Sequence, residues 1–151
     1  MAFMTSAIMY PFKTELLKGT HDFTTHTFKM ALFTDSAVFD ASLTAWSSGM
    51  TGEVSGTGYT AGGATLAYDV STGFVGAKDG TATGDVSYVD WDDPSWNTAT
   101  FIARGALIYN TSATNKTVMG INFGGDKSVS NGTFTVTLPN PASTTAILQL
   151  A

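Results

Sequence analysis

The chain of 151 residues reads as an all-β protein: a single-domain β-sandwich, jelly-roll-like or immunoglobulin-like, with one short N-terminal helix. Three observations predict this. Turn signals recur about every ten residues, the spacing of short antiparallel strands. Thr (25) and Ser (13) supply a quarter of the chain and Gly adds 16, a composition suited to pleated surfaces and turns. Charged residues make up only 13%, too few to coat the wet faces of several helices. At 15.8 kDa the chain has the size of one domain and can bury about two-thirds of its extended surface.

The elements follow in order. Residues 1–10 (MAFMTSAIMY) are apolar, lack the cationic start and Ala-x-Ala site of an export signal, and are too short to cross a bilayer. They form an N-terminal arm ahead of a sandwich domain over residues 11–151. A strand tucked into the body and an arm laid on a neighbouring subunit would both cover such a segment, since exposed apolar patches are uncommon. Met1, Phe3, Met4, Ile8 and Tyr10 are therefore candidates for partner contact. In PFKTELLKG, Phe12, Leu16 and Leu17 share a helical face, Lys18 suits the helix dipole, and Gly19 is a natural terminator.

From His26 onward the period changes to two. Phe28, Met30 and Leu32 alternate with Thr27, Lys29 and Ala31 as in a half-buried strand. Residues 40–50 read as a polar loop with Trp46 anchored over the core edge. TGEVSGTGYTAGG is a glycine-punctuated turn, and Leu66, Tyr68 and Val70 line the strand after it. Lys78-Asp79-Gly80 reads as a tight turn. Val86 and Tyr88 lead into DWDDPSW, and ATFIARGALIY, apolar on both faces, reads as the central strand. NTSATNK is a turn, VMGINFG a strand, GDKSVSNG a loop, TFTVTL an alternating strand and TTAILQLA the last one. A jelly roll would bring the first and last strands together at one edge.

The same composition excludes several chemistries. Without cysteine there is no disulfide, thiolate metal site or cysteine nucleophile. A net charge of −5 with a single arginine, Arg104, does not make a nucleic-acid surface. His21 and His26 lie five residues apart with Asp22 beside them, a poor basis for a hydrolase dyad because Ser and Thr abound everywhere; a surface or strand-edge role is expected. Asp90, Asp92 and Asp93 offer oxygen ligands to Ca²⁺ but lack EF-hand spacing, and the plainer reading is a turn at Asp93-Pro94 pinned by Trp91 and Trp96. GTGYTAGG lacks the Lys-Ser/Thr of a phosphate loop and is read as a turn beside Tyr59. No catalytic residue, metal or cofactor is expected. Tyr59, Trp91 and Trp96, with Trp46, are candidate aromatic contacts, and beside DWDDPSW they would suit glycan stacking.

Four segments resemble a family of small tailed-bacteriophage virion proteins. They are FKTELLKGTHDFTTHTFKMALFTDSA (residues 12–37), EVSGTGYTAGG (53–63), WNTATFIARGALIYN (96–110) and MGINFGGDKSVSNGTFTVTLP (119–139), in order and spanning most of the chain. The apolar prefix and the PNPAS ending depart from the family pattern. The resemblance implies a non-enzymatic structural protein of the virion, a capsid decoration (cement) protein on the outer surface of the head, assembled in the bacterial host cytoplasm. It implies the major capsid protein and copies of the chain itself as partners, in a homotrimer, with no nucleic acid and no membrane. The alternative is a tail, baseplate or fibre component that binds host-surface glycan.

Overall fold

Alternating Phe28, Met30 and Leu32, with small or apolar residues between them, produce strand β2 (Phe28–Phe33), in which every residue but Lys29 is buried. Its partner is β6 (Ser95–Asn110), antiparallel in the register Phe28↔Asn110 to Phe33↔Gly105. These are the elements of a computed structural model that describes residues 4–68, 75–77 (backbone), 87–139 and 146–150. Among the described residues the protein is mostly β, with two antiparallel sheets and one short helix near the N-terminus.

The larger sheet has the order β1-β7-β6-β2-β3, where β1 is Ala7–Ile8, β3 is Ala64–Leu66 and β7 is Lys116–Thr135. The smaller sheet runs β4-β5-β8, from Val75–Ala77, Ser87–Val89 and Leu148–Leu150. Contacts divide the chain into two compact units, Met1–Thr65 with Ser95–Phe134 and Leu66–Pro94 with Thr135–Ala151. The first and last described strands, β1 and β8, belong to different sheets and are not paired with one another.

Helix α1 (Tyr10–Leu17) begins with Pro11 in its first turn, where the missing N–H costs nothing, and ends at Lys18. Gly19 follows at φ +70°, the left-handed residue that lets the chain leave the helix. Phe12 is its buried residue; Leu17 is 90% exposed rather than sharing that face. The reason is geometric: five positions turn a helix by about 500°, which carries Leu17 well away from Phe12.

β6 lies between β7 and β2 as its two apolar faces predict, and residues 105–110 are buried apart from no more than a trace of exposure. The 3-10 turn Thr111–Ala113 leads to Thr114 and Asn115 at φ 52° and 59°. The run GDKSVSNG, expected as a loop, instead stays within β7. Left-handed residues Gly124 (φ 76°) and Asn131 (φ 46°) take up the irregularity without ending the strand. The rings of Phe123 and Phe134 are 6.3 Å apart, whereas eleven extended residues span about 36 Å, so β7 bends sharply between them.

Candidate functional site

The glycine-rich segment 53–63 forms a tightly bonded clamp on the larger sheet. It starts along the edge of β2: Thr34 N donates to Gly52 O (2.8 Å) and Val54 N to Leu32 O (2.9 Å). It then crosses to β6, where Thr100 N donates to Thr57 O (3.0 Å). Three of its glycines, Gly56, Gly58 and Gly63, are required by close approach. A side chain on Gly63 (φ +75°) would overlap the Met30 carbonyl, and one on Gly58 (φ +79°) would come within 2.8 Å of Ala99 Cα.

Inside the clamp one carboxylate oxygen serves two donors. Glu53 Oε1 accepts from the Tyr59 hydroxyl (3.0 Å) and from Gly62 N (2.5 Å). Tyr59 in turn accepts from Leu32 N (3.0 Å). Tyr109 donates its hydroxyl to Gly62 O (2.7 Å), and Trp46 stacks on the Tyr109 ring at 5.1 Å and 14°. Burial raises both phenols: Tyr109 is pushed up to about 12, and Tyr59 goes higher still, with the Glu53 charge adding to each. Both therefore stay protonated donors at neutral pH, which suits them to hold the loop and not to act as bases. An open groove of about 320 Å³ lies alongside, lined by Met50, Glu53, Val54, Ser55, Tyr59 and Ala61.

A second polar cluster lies where α1, the 18–27 connection and the end of β6 meet. His21 Nε2 is 3.0 Å from Glu15 Oε2, and Lys116 Nζ donates to Glu15 Oε1. Asn110 Nδ2 lies 3.1 Å from His21 Nδ1 and 2.9 Å from His26 Nδ1. The surface or edge role expected of the histidines does not hold for His21, whose side chain is fully buried against the Phe12 ring (4.8 Å). Sequence spacing gave no sign of this cluster, because its organiser, Asn110, lies 84 residues beyond His26.

The aromatic contact candidates are corrected in part. Trp91 is 1% and Trp96 6% exposed, so neither offers a face to a glycan. Large rings beside a turn are worth more in the core than in water. Trp96 packs against Phe134 at 6.0 Å, and Tyr59 against Phe101 at 5.9 Å. Of the arm residues, Met1 and Phe3 lie outside the described residues. Asn122 Nδ2 donates to Met4 O (2.9 Å), and Ile8 pairs with Met119 of β7. Met9 is fully buried, and Tyr10 is 63% exposed at the start of α1.

In the acidic knot Asp90 is 4% exposed while Asp92 and Asp93 face outward. Asp93 Oδ1 accepts from Leu138 N (2.7 Å), a tie to a segment 45 residues further along the chain, and residues 92–94 form no turn. Among the described residues no three His, Asp or Glu side chains are grouped to hold a metal. The Lys78-Asp79-Gly80 turn and Val70 lie outside the described residues. Compared with protein-family models, curated proteins and solved structures, the chain matches none.

Proposed function

We propose that the protein is a non-enzymatic structural component of a tailed-bacteriophage virion, a decoration (cement) protein that binds the outer surface of the head and stabilises it. The observation that carries this reading is the construction of the 53–63 clamp. This is one of the four family-like segments, and its Glu53 and Tyr59 side chains are bonded to their own chain. Its glycines answer to backbone approach, as a rigid scaffold requires. Low charge supports the same reading, because wide dry contacts tolerate few unpaired charges. The burial of Trp91 and Trp96 weighs against the glycan-binding alternative.

Contact with the shell is assigned to the outer face of α1, where Tyr10 and Leu17, one heptad apart, are 63% and 90% exposed. The arm itself is a poor target for deletion, since removing residues 1–10 would take out the buried Met9 along with β1. Point changes avoid this. Leu17→Asp should leave stability within about 0.5 kcal/mol, as exposed substitutions do, and should lower occupancy on heads stripped of the protein. Undiminished occupancy of that variant would remove α1 from the contact. Failure of the wild-type chain to bind heads would remove the decoration role altogether.

A further inference from the structure

Asn110 fixes the protonation of two histidines. A backbone N–H can only donate, and Ser112 N (3.0 Å) and Ala113 N (3.2 Å) both point at Asn110 Oδ1. The amide orientation follows, with its NH₂ directed at His21 Nδ1 and His26 Nδ1, one hydrogen for each ring. An independent donor agrees: Asp22 N lies 3.3 Å from His26 Nδ1. Both rings must therefore hold a lone pair on Nδ1 and their hydrogen on Nε2, where His21 donates to Glu15.

An imidazolium carries hydrogen on both nitrogens. Protonating either ring sets an N–H against the Asn110 NH₂, and the amide cannot turn without setting that NH₂ against Ser112 and Ala113. The charged groups facing the cluster do not relieve this. From α1, Glu15 favours a charged His21, but it already accepts from Lys116 of β7, whose charge opposes one. On the connection, both Asp22 oxygens are engaged by Thr24 and Thr25. His26 lies across the shared amide and repels a charge on His21. We infer that the His21–Asn110–His26 bridge is an acid-released latch, closed while both imidazoles are neutral, that fastens the 18–27 connection to the end of β6.

The fastenings on either side are backbone and hydroxyl bonds that do not titrate, and ahead of the bridge Thr20 N donates to Glu15 O (2.9 Å). Thr111 N and Oγ1 both donate to Thr27 O (2.9 Å each), and Thr27 N donates to Ser112 Oγ (2.9 Å). Opening is therefore confined to residues 20–26, and β2 stays paired.

The inference does not depend on where the protein works, and it is tested on the full chain in solution by ¹⁵N NMR of the histidine rings together with amide exchange. At about pH 7.5 both rings should carry hydrogen on Nε2 alone. On acidification that neutral pattern should give way to imidazolium, and amides 21–26 should then lose protection by about tenfold after correction for intrinsic rates, as the loss of one or two hydrogen bonds implies, while Ala31 and Leu32 keep theirs. Asn110→Asp retains the oxygen that caps the 3-10 turn but offers the rings an acceptor, so in that variant protection of 21–26 should rise on acidification. Hydrogen on Nδ1 of either ring at neutral pH would overturn the latch. So would two imidazoliums with 21–26 still protected, or a folded Asn110→Asp chain that keeps the wild-type sign. If that variant does not fold, the wild-type ring and exchange data decide alone.

Discussion

Glu53 gives one oxygen to two donors, and its two simplest replacements separate shape from charge. Glu53→Gln keeps an acceptor for Tyr59 and Gly62 and should cost less than about 1 kcal/mol, whereas Glu53→Ala strands a part-buried hydroxyl and an amide and should cost about 1–3 kcal/mol. Urea unfolding of the pair measures the difference. Gly63→Ala should be worse than either, by more than about 2 kcal/mol, since it combines positive φ with overlap on the Met30 carbonyl. Titration has a definite direction as well. Burial lowers the affinity of His21 for a proton below that of a free imidazole, despite Glu15. The unfolded chain then binds the proton more tightly, so this contribution is complete above pH 6.5 and is lost as pH falls below it toward the folded value. Burial pushes the Glu15 carboxyl up, but the hydrogen bonds from Lys116 and His21 more than offset that, leaving it below 4.5. Its contribution is complete above 4.5 and is lost as pH falls through the folded value. Unfolding free energy measured against pH should accordingly decline in two stages on acidification, the first of them smaller in His21→Gln.

At the scale of elements, periodicity was legible where one side of a segment meets the core. The alternation of Phe28, Met30 and Leu32 located β2, the doubly apolar run around Leu107 located the central strand, and Pro11 and Gly19 bracketed the helix. GDKSVSNG was misread because polarity and glycine signal a loop, whereas here the same residues stay within β7 and left-handed Gly124 and Asn131 let it bend. The two polar clusters were not legible either. Glu53, Tyr59 and Gly62 lie close in sequence, but their geometry depends on Leu32 and Tyr109; Asn110 meets its histidines only through the β2–β6 register. The turn between β6 and β7 leaves a testable strain. Thr114 is β-branched and left-handed at φ 52°, so Thr114→Gly should stabilise by about 0.5–1 kcal/mol, whereas Asn115→Gly should change little because asparagine tolerates that region. Thermal unfolding of the two variants makes the comparison.

For the whole molecule, low charge, absent cysteine and abundant Ser and Thr accompany a β body whose two polar clusters, around Glu53 and Asn110, are bonded within the chain. On the proposed decoration role, a homotrimer would hold three α1 faces against the shell at once, so that weak single contacts would add through avidity. Native mass spectrometry should then find a particle of three times the 15.8 kDa chain. The most direct test of the role is electron microscopy of phage particles carrying a gold label on this protein. Label distributed over the outside of the head is the predicted result; label confined to the tail or its tip, with bare heads, would contradict it.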